Sequence, residues 1–523
     1  MIRFMGVLAM VGVLAVAYGQ VVAQVYEFSK PNVPVNDDSL GRHHHFNLSE
    51  GQHSVAARGD TFYAVWWDYR KVNQRDPDIY FTRSTDCGRT FAPNMKINDG
   101  ADTMRQEDPS LCLEKGRGII HIAWMDSSPG EWRIYYSRST DGGRSFLPDR
   151  QLSDTFSMLP MVACNDRGTV CVAWWVGYYV WLIKSSNRGL TFGRPAIVND
   201  FEAYNTDDAS LAVDSSGKAY LAWHRYGTNH VYLSRSTDSG DTLFYPSVRV
   251  SDSMYRLWSA GYPTLVIGKQ GWIYVALLDK RREDQAHHVY VARSTDGGMS
   301  FLPNVDVSDN NGSSFQRWPS IALDDSSNVY VTCTDYRNGD RCIYFARSTD
   351  STATRFSSNI LVNDTIGLSG TDRYGASVAA NERGEAFVTW SDNRVSGSIQ
   401  LYDIFSSRGI RKPSGIGNET SDLGFISGRI KCYPNPFSNS TLISYTGPKA
   451  DKVDLKVYNL LGEEVSDLST SRGGLGRYEV VWKGEDNHGL KVKSGVYFIK
   501  VSEKSTEGRL SSKFHLQKCI FLR

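Results

Sequence analysis

The chain has 523 residues, 41% hydrophobic and 22% charged, which suits two or three folded domains and excludes a disordered chain. Its 58 basic and 57 acidic side chains leave a net charge of +1, so no electrostatic case exists for nucleic acid or an anionic membrane. Aromatics reach 12%, with 28 tyrosines and 13 tryptophans, which favours strands and sugar-facing surfaces. In chain order, residues 1–23 come first: Arg3, an apolar run from Phe4 to Tyr18, then small residues at Ala17, Gly19 and Ala23. That pattern predicts a secretory signal peptide, too short for a lasting membrane span. Eight cysteines in an exported chain could all pair. Cys164 and Cys171 flank the turn "NDRG", Cys333 and Cys342 flank "TDYRNGDR", and Cys432 and Cys519 bracket the C-terminal region. Cys87 and Cys112 remain by elimination, and free buried thiols are the alternative.

Residues 24–410 repeat one unit. The hexapeptide "RSTDGG" stands at Arg138 and again at Arg293, with near-copies at Arg83, Arg235 and Arg347. Around it four alternating strands recur, A to D, as in "PSIALD", "NVYVTCTD", "CIYFARS" and the run leading to "VND". Strand A is expected to begin near Ser54, Ser110, Met161, Ser210, Thr264, Ser320 and Ser377. Such a period predicts an all-β, seven-bladed β-propeller, with six blades as the alternative. Strand D ends in Asp99, Asp154, Asp200, Asp252, Asp309 and Asp364, and a seventh copy, Asn36-Asp37, precedes any complete unit. The last unit, Arg373 to about Gly409, has no strand D. The segment "SKPNVPVND" is therefore expected to pair with the last strand C and close the ring.

The stretch "S-T-D-x-G-x-x-F" between strands C and D resembles the Asp-box of sialidases and related propellers (BNR repeats). Its aspartates are Asp86, Asp141, Asp238, Asp296 and Asp350, with Asn187 in a degraded copy. An Asp here can accept turn N–H groups and a Gly permits positive φ, so the motif reads as scaffold. The resemblance implies an active-site face formed by the B–C and D–A loops. In sialidases three arginines hold the sugar carboxylate, with a Tyr nucleophile backed by Glu. The N-terminal "R-I-P" motif is missing here; Tyr69, Tyr336 and Tyr374 are only nearby candidates.

On that face an Asp ends strand B at Asp68, Asp126, Asp279, Asp335 and Asp392. Two residues later stand Arg70, Arg281, Arg337 and Arg394, on four neighbouring blades. Either each Asp–Arg pair staples its own loop, or the arginines form a site for acidic glycans. Trp258 and Trp318 lie in D–A loops and Trp132 in a B–C loop, where flat rings can stack on sugars. Trp66, Trp124, Trp174, Trp223 and Trp390 recur at one strand-B position and read as interblade packing. The run His43 to His45 reads as a solvated loop, so no metal and no cofactor is expected.

Residues 411–428 are rich in Gly, Ser and Pro and read as a linker. Residues 429–523 alternate as a small β-sandwich. Tyr433 to Phe437, Val457 to Asn459 and Ser494 to Phe498 resemble C-terminal sorting domains of the type IX secretion system and the immunoglobulin-like domain of flagellar hook-cap proteins. That resemblance implies export, with cell-surface attachment. Two functions follow: a secreted or surface module binding a glycan or a surface protein, or an exo-α-sialidase-type glycoside hydrolase. A monomer is expected, with the export machinery as a partner of the C-terminal domain.

Overall fold

Alternating β-branched and aromatic residues, broken by Asp, Asn, Ser and Gly, give strands throughout, and every regular element among the described residues is a strand. The computed structural model describes residues 26–38, 45–46, 53–70, 76–99, 104–128, 130–199, 209–225, 228, 230–237, 244–252, 260–282, 286–310, 314–365, 371–396, 401–411, 429–433, 437–446, 452–459, 462–468, 477–504 and 514–521. The expected signal peptide, nearly all of the linker, Trp258, Asp238, His43 and His44 lie outside them. The chain divides into two compact units, Met1–Gly415 and Ile416–Arg523.

The first unit carries seven antiparallel sheets in chain order, of the four-stranded kind that forms propeller blades. In the sixth, Gln316–Leu323, Val329–Asp335, Cys342–Arg347 and Ile360–Leu361 pair in that order, as strands A to D. The seventh takes its outer strand from the N-terminal segment. Val33 pairs with Ser406 and Pro34 with Phe405, and Tyr26 to Phe28 pair with Arg411 to Gly409. Residues more than 370 positions apart are thereby held in one sheet.

Each sheet buries one face on the next, and seven apolar cores result. The strand-B tryptophans fill five of them: Trp66, Trp124, Trp174, Trp223 and Trp390 are at most 2% exposed. The core holding Trp66 joins the seventh sheet to the first through Ala379 and Phe387. The innermost strands surround a cavity of about 260 Å3, lined by Val55, Leu111, Val162, Leu211, Leu265, Ile321 and Val378, one from each sheet.

Strand A begins earlier than its sequence predicts. The observed starts at Gln106, Met158, Ala260, Gln316 and Arg373 precede the expected ones by three or four residues. A bulge shifts the register in each of these strands. At it Asp108, Leu159, Tyr262, Trp318 and Gly375 have positive φ, and all but Gly375 precede a proline. Proline reads as a strand boundary, yet a bulge accommodates it because its missing N–H falls where the ladder is already interrupted.

All eight cysteines are free thiols in this structure, and the expected pairs differ in how well their placement suits a bond. Cys171 lies opposite Ala163, and Cys164 opposite Val170, so strand alternation sends Cys164 and Cys171 to opposite faces. Cys333 and Cys342 are diagonal neighbours in one core, their direct partners being Tyr344 and Asp335. Cys87 sits in the joint between the seventh and first sheets, where its thiol donates to Asp60 at 3.1 Å, away from Cys112 in the joint between the second and third. Cys432 and Cys519 stand side by side as hydrogen-bonded thiols.

The second unit packs a three-stranded sheet (Arg429–Tyr433, Thr441–Thr446, Arg477–Trp482) against a four-stranded one (Glu464–Asp467, Lys452–Tyr458, Gly495–Lys504, Phe514–Phe521). Phe437, Trp482, Tyr497, Ile499 and Phe521 fill its core.

Candidate functional site

The Ser–x–Asp–x–Gly turns are closed hydrogen-bond circuits. Ser84 Oγ donates to Asp86 at 2.7 Å and accepts the Gly88 N–H at 2.8 Å. Asp86 also accepts the N–H groups of Arg89 and Thr90 and the Thr90 hydroxyl. Asp141 and Asp296 repeat this circuit with Ser145 and Ser300. Asp350 accepts from Thr352 and Thr354, and Asn187 keeps part of the circuit through Thr191. Burial alone would raise the Asp86 carboxyl, but the donated hydrogen bonds outweigh it and hold the group at about 2. Asp296 is likewise at about 2, and Asp141 is lowered by the same competition.

The four arginines are engaged by carboxylates. Arg337 donates to Asp335 and Asp309, both at 2.7 Å, and to Asn359 at 2.8 Å. Arg70 meets Asp68, Asp37 and Asn94, and Arg281 meets Asp279, Asp252 and Asn304. Arg394 meets Asp392, Asp364 and Asn32. In every case one Asp ends the arginine's own strand B, the other follows strand D of the preceding sheet, and the Asn stands in or immediately before its own strand D. The guanidiniums also lie 4.1–4.3 Å above Tyr80, Tyr290, Tyr344 and Phe405. Their side chains are only 11–19% exposed. With two carboxylates per guanidinium, this geometry leaves no positive arc and replaces the anion-site expectation with a staple between sheets.

A different cluster stands at the strand-A bulges. Trp318 lies 5.9 Å from Tyr374, which meets Tyr402 edge-on at 4.7 Å. Arg341 covers Trp318 at 5.7 Å and Tyr336 at 5.5 Å, and pairs with Asp372 at 2.8 Å. The Tyr402 hydroxyl donates to the same Asp372 oxygen at 2.8 Å. On the second sheet Arg105 pairs with Glu107, lies 5.8 Å from the Trp132 ring and donates to Tyr69. The Tyr374 phenol is raised chiefly by burial, with Tyr69 of the other half as the smallest contributor, so the two halves share one electrostatic environment.

Burial raises Tyr69, with Glu107 adding to it, and burial raises Tyr374, with Tyr402 and Asp372 adding to it. Desolvation also raises Glu107. These phenols are therefore protonated donors at neutral pH. Arg341 and Arg105 each pair with one carboxylate, Arg105 is 48% exposed, and exposed Arg317 also lies 5.9 Å from the Trp318 ring, so the surface is donor-rich and aromatic. Flat rings beside fixed donors suit sugar rings, whose C–H faces stack while their hydroxyls hydrogen-bond. Trp318, Trp132, Tyr69, Tyr336 and Tyr374 were legible as candidates. Arg105, Glu107, Arg341, Asp372 and Tyr402 were not, and the only signal for their neighbourhood was the residue–Pro–Ser/Thr step at Pro109, Pro263 and Pro319. Among the described residues no cluster of His, Cys, Asp or Glu could hold a metal ion.

Residues 438–507 match the FlgD Ig-like domain family. No curated protein matches the chain. Solved structures similar to it include an ulvan lyase of polysaccharide lyase family PL25, at 12% identity and TM-score 0.46 over 71% of this chain and 95% of that one. A Hadza microbial sialidase is 16% identical with a TM-score of 0.37, over 54% of this chain and 62% of the other. An α-L-arabinofuranosidase from Fusarium graminearum is 14% identical with a TM-score of 0.42, over 73% and 97%. At these values the likeness carries no argument about chemistry.

Proposed function

We propose that the chain is an exported, surface-exposed carbohydrate-binding protein whose first unit is a closed seven-bladed propeller. The binding reading rests on the bulge cluster, where Trp318, Tyr374 and Tyr69 stand beside Arg341 and Arg105. Ring closure is supported by the seven sheet-to-sheet cores and by one cavity lined from all seven inner strands. The Ser–Asp–Gly turns are Asp-boxes in this reading, and the four arginines are staples. Export is supported by Arg3 and the apolar run from Phe4 to Tyr18, and the Ig-like unit serves sorting or surface attachment.

A second reading, a sialidase-type hydrolase, is favoured by one observation: Arg105 hydrogen-bonds to both the Tyr69 phenol and the Glu107 carboxyl. Against it, burial raises the Tyr69 phenol, so the would-be nucleophile holds its proton more tightly than a free phenol. A glycan array separates the readings. Binding with every glycan recovered intact supports a module; released free sugar, lost in Tyr69→Phe, would establish the hydrolase. Absence of any glycan binding by the folded protein would sink both.

A further inference from the structure

Cys112 and Cys164 occupy equivalent places on adjacent inner strands. The Val162 N–H donates to Ser110 Oγ at 3.1 Å, which sets the register between the second and third sheets. Leu265 to Ser210 and Val378 to Ser320 set it identically at two other joints. Two residues beyond these anchors stand Ala212 with Ile267, and Ala322 with Ala380, each pair sharing one apolar core. At the joint between the second and third sheets the same two places hold Cys112 and Cys164, again in one core. Both also line the central cavity, and both are partly exposed, whereas Cys87, Cys171, Cys333 and Cys342 are buried. An apolar pair suffices for packing here, so two cysteines at one such position call for another explanation.

We propose that Cys112 and Cys164 form a disulfide that covalently joins the second and third sheets. The step is thiol–disulfide exchange with a small-molecule disulfide or an oxidoreductase disulfide. One thiolate attacks that disulfide and expels a thiolate, giving a mixed disulfide. The second cysteine, after losing its proton, attacks the mixed disulfide and expels the remaining thiolate. Two protein thiols lose two protons and two electrons in all, and the oxidant's disulfide becomes two thiols. The Cys112 thiol is raised by burial first and by its hydrogen-bonded neighbour Cys164 second, so oxidation should quicken as pH rises. Cys171 is no competitor, because it faces the joint between the third and fourth sheets.

The test is peptide mapping of the full chain after exposure to oxidised glutathione, with unreacted thiols alkylated under denaturing, non-reducing conditions. The expected product is a Cys112–Cys164 linked peptide, two hydrogens lighter than its halves, that separates on reduction. Cys171→Ser should retain the link. Cys112→Ser should lose it and leave Cys164 open to alkylation. Reduction should lower the Tm of the oxidised wild type by more than that of Cys112→Ser. Complete alkylation of both residues after oxidation, or a link from Cys164 to Cys171, would overturn the proposal.

Discussion

Arg337 is the clearest case of a residue whose type suggests one role and whose neighbours assign another. Its partner Asp335 is fully buried, and the guanidinium is 18% exposed. Truncation to Ala strands that carboxylate without its cation and should cost roughly 2–4 kcal/mol, as for other broken, largely buried ion pairs. Urea unfolding of Arg337→Ala checks this; a loss below about 0.5 kcal/mol would mark the pair as an exposed ion pair of little weight. The turn aspartates make a pH prediction. The carboxyls of Asp86 and Asp296 lie at about 2, below the ordinary 3.8, so their stabilisation is complete above that ordinary value and lost as pH falls towards 2. Tm of the wild type should fall over that window, and Asp86→Asn should fall less steeply there.

At the level of elements, the repeat period and the strand-B pattern were legible because alternation and turn residues are local signals. The missing strand D and its N-terminal replacement were legible too, since counting one column of "ND" steps exposes the gap. The bulges were not, because a proline in a strand reads as its end unless the left-handed residue before it is already known. The Cys164–Cys171 pairing failed for a related reason: short sequence spacing ignores which face of the strand each side chain takes. Facing can be tested within one turn. A Cβ on Gly143, at φ +77°, would lie 2.7 Å from the Phe81 ring, while one on Gly142, at φ +72°, meets nothing within 4 Å. Both alanine variants carry the left-handed strain, but Gly143→Ala also overpacks the joint and should be roughly 1–3 kcal/mol less stable than Gly142→Ala. Equal unfolding midpoints would mean that the joint yields to the extra methyl group.

Across the whole molecule, a ring of repeats makes an inner channel and a loop face that no single sheet could form. The candidate surface is such a product. Tyr69, Arg105, Trp318, Tyr374 and Arg341 come from four sheets, the first, second, sixth and seventh, which are consecutive only when the ring is closed. No window of sequence holds them together, so composition and motifs revealed single candidates but not their meeting. Carbohydrate should bind this aromatic surface and not the stapled arginines. Calorimetric titration of an array-selected glycan into wild type, Trp318→Ala and Arg337→Lys distinguishes the two. Trp318→Ala should weaken binding about tenfold, near 1.4 kcal/mol, while Arg337→Lys should stay within about twofold. The opposite order, with Arg337→Lys losing most of the affinity and Trp318→Ala keeping it, would place the ligand on the arginines instead.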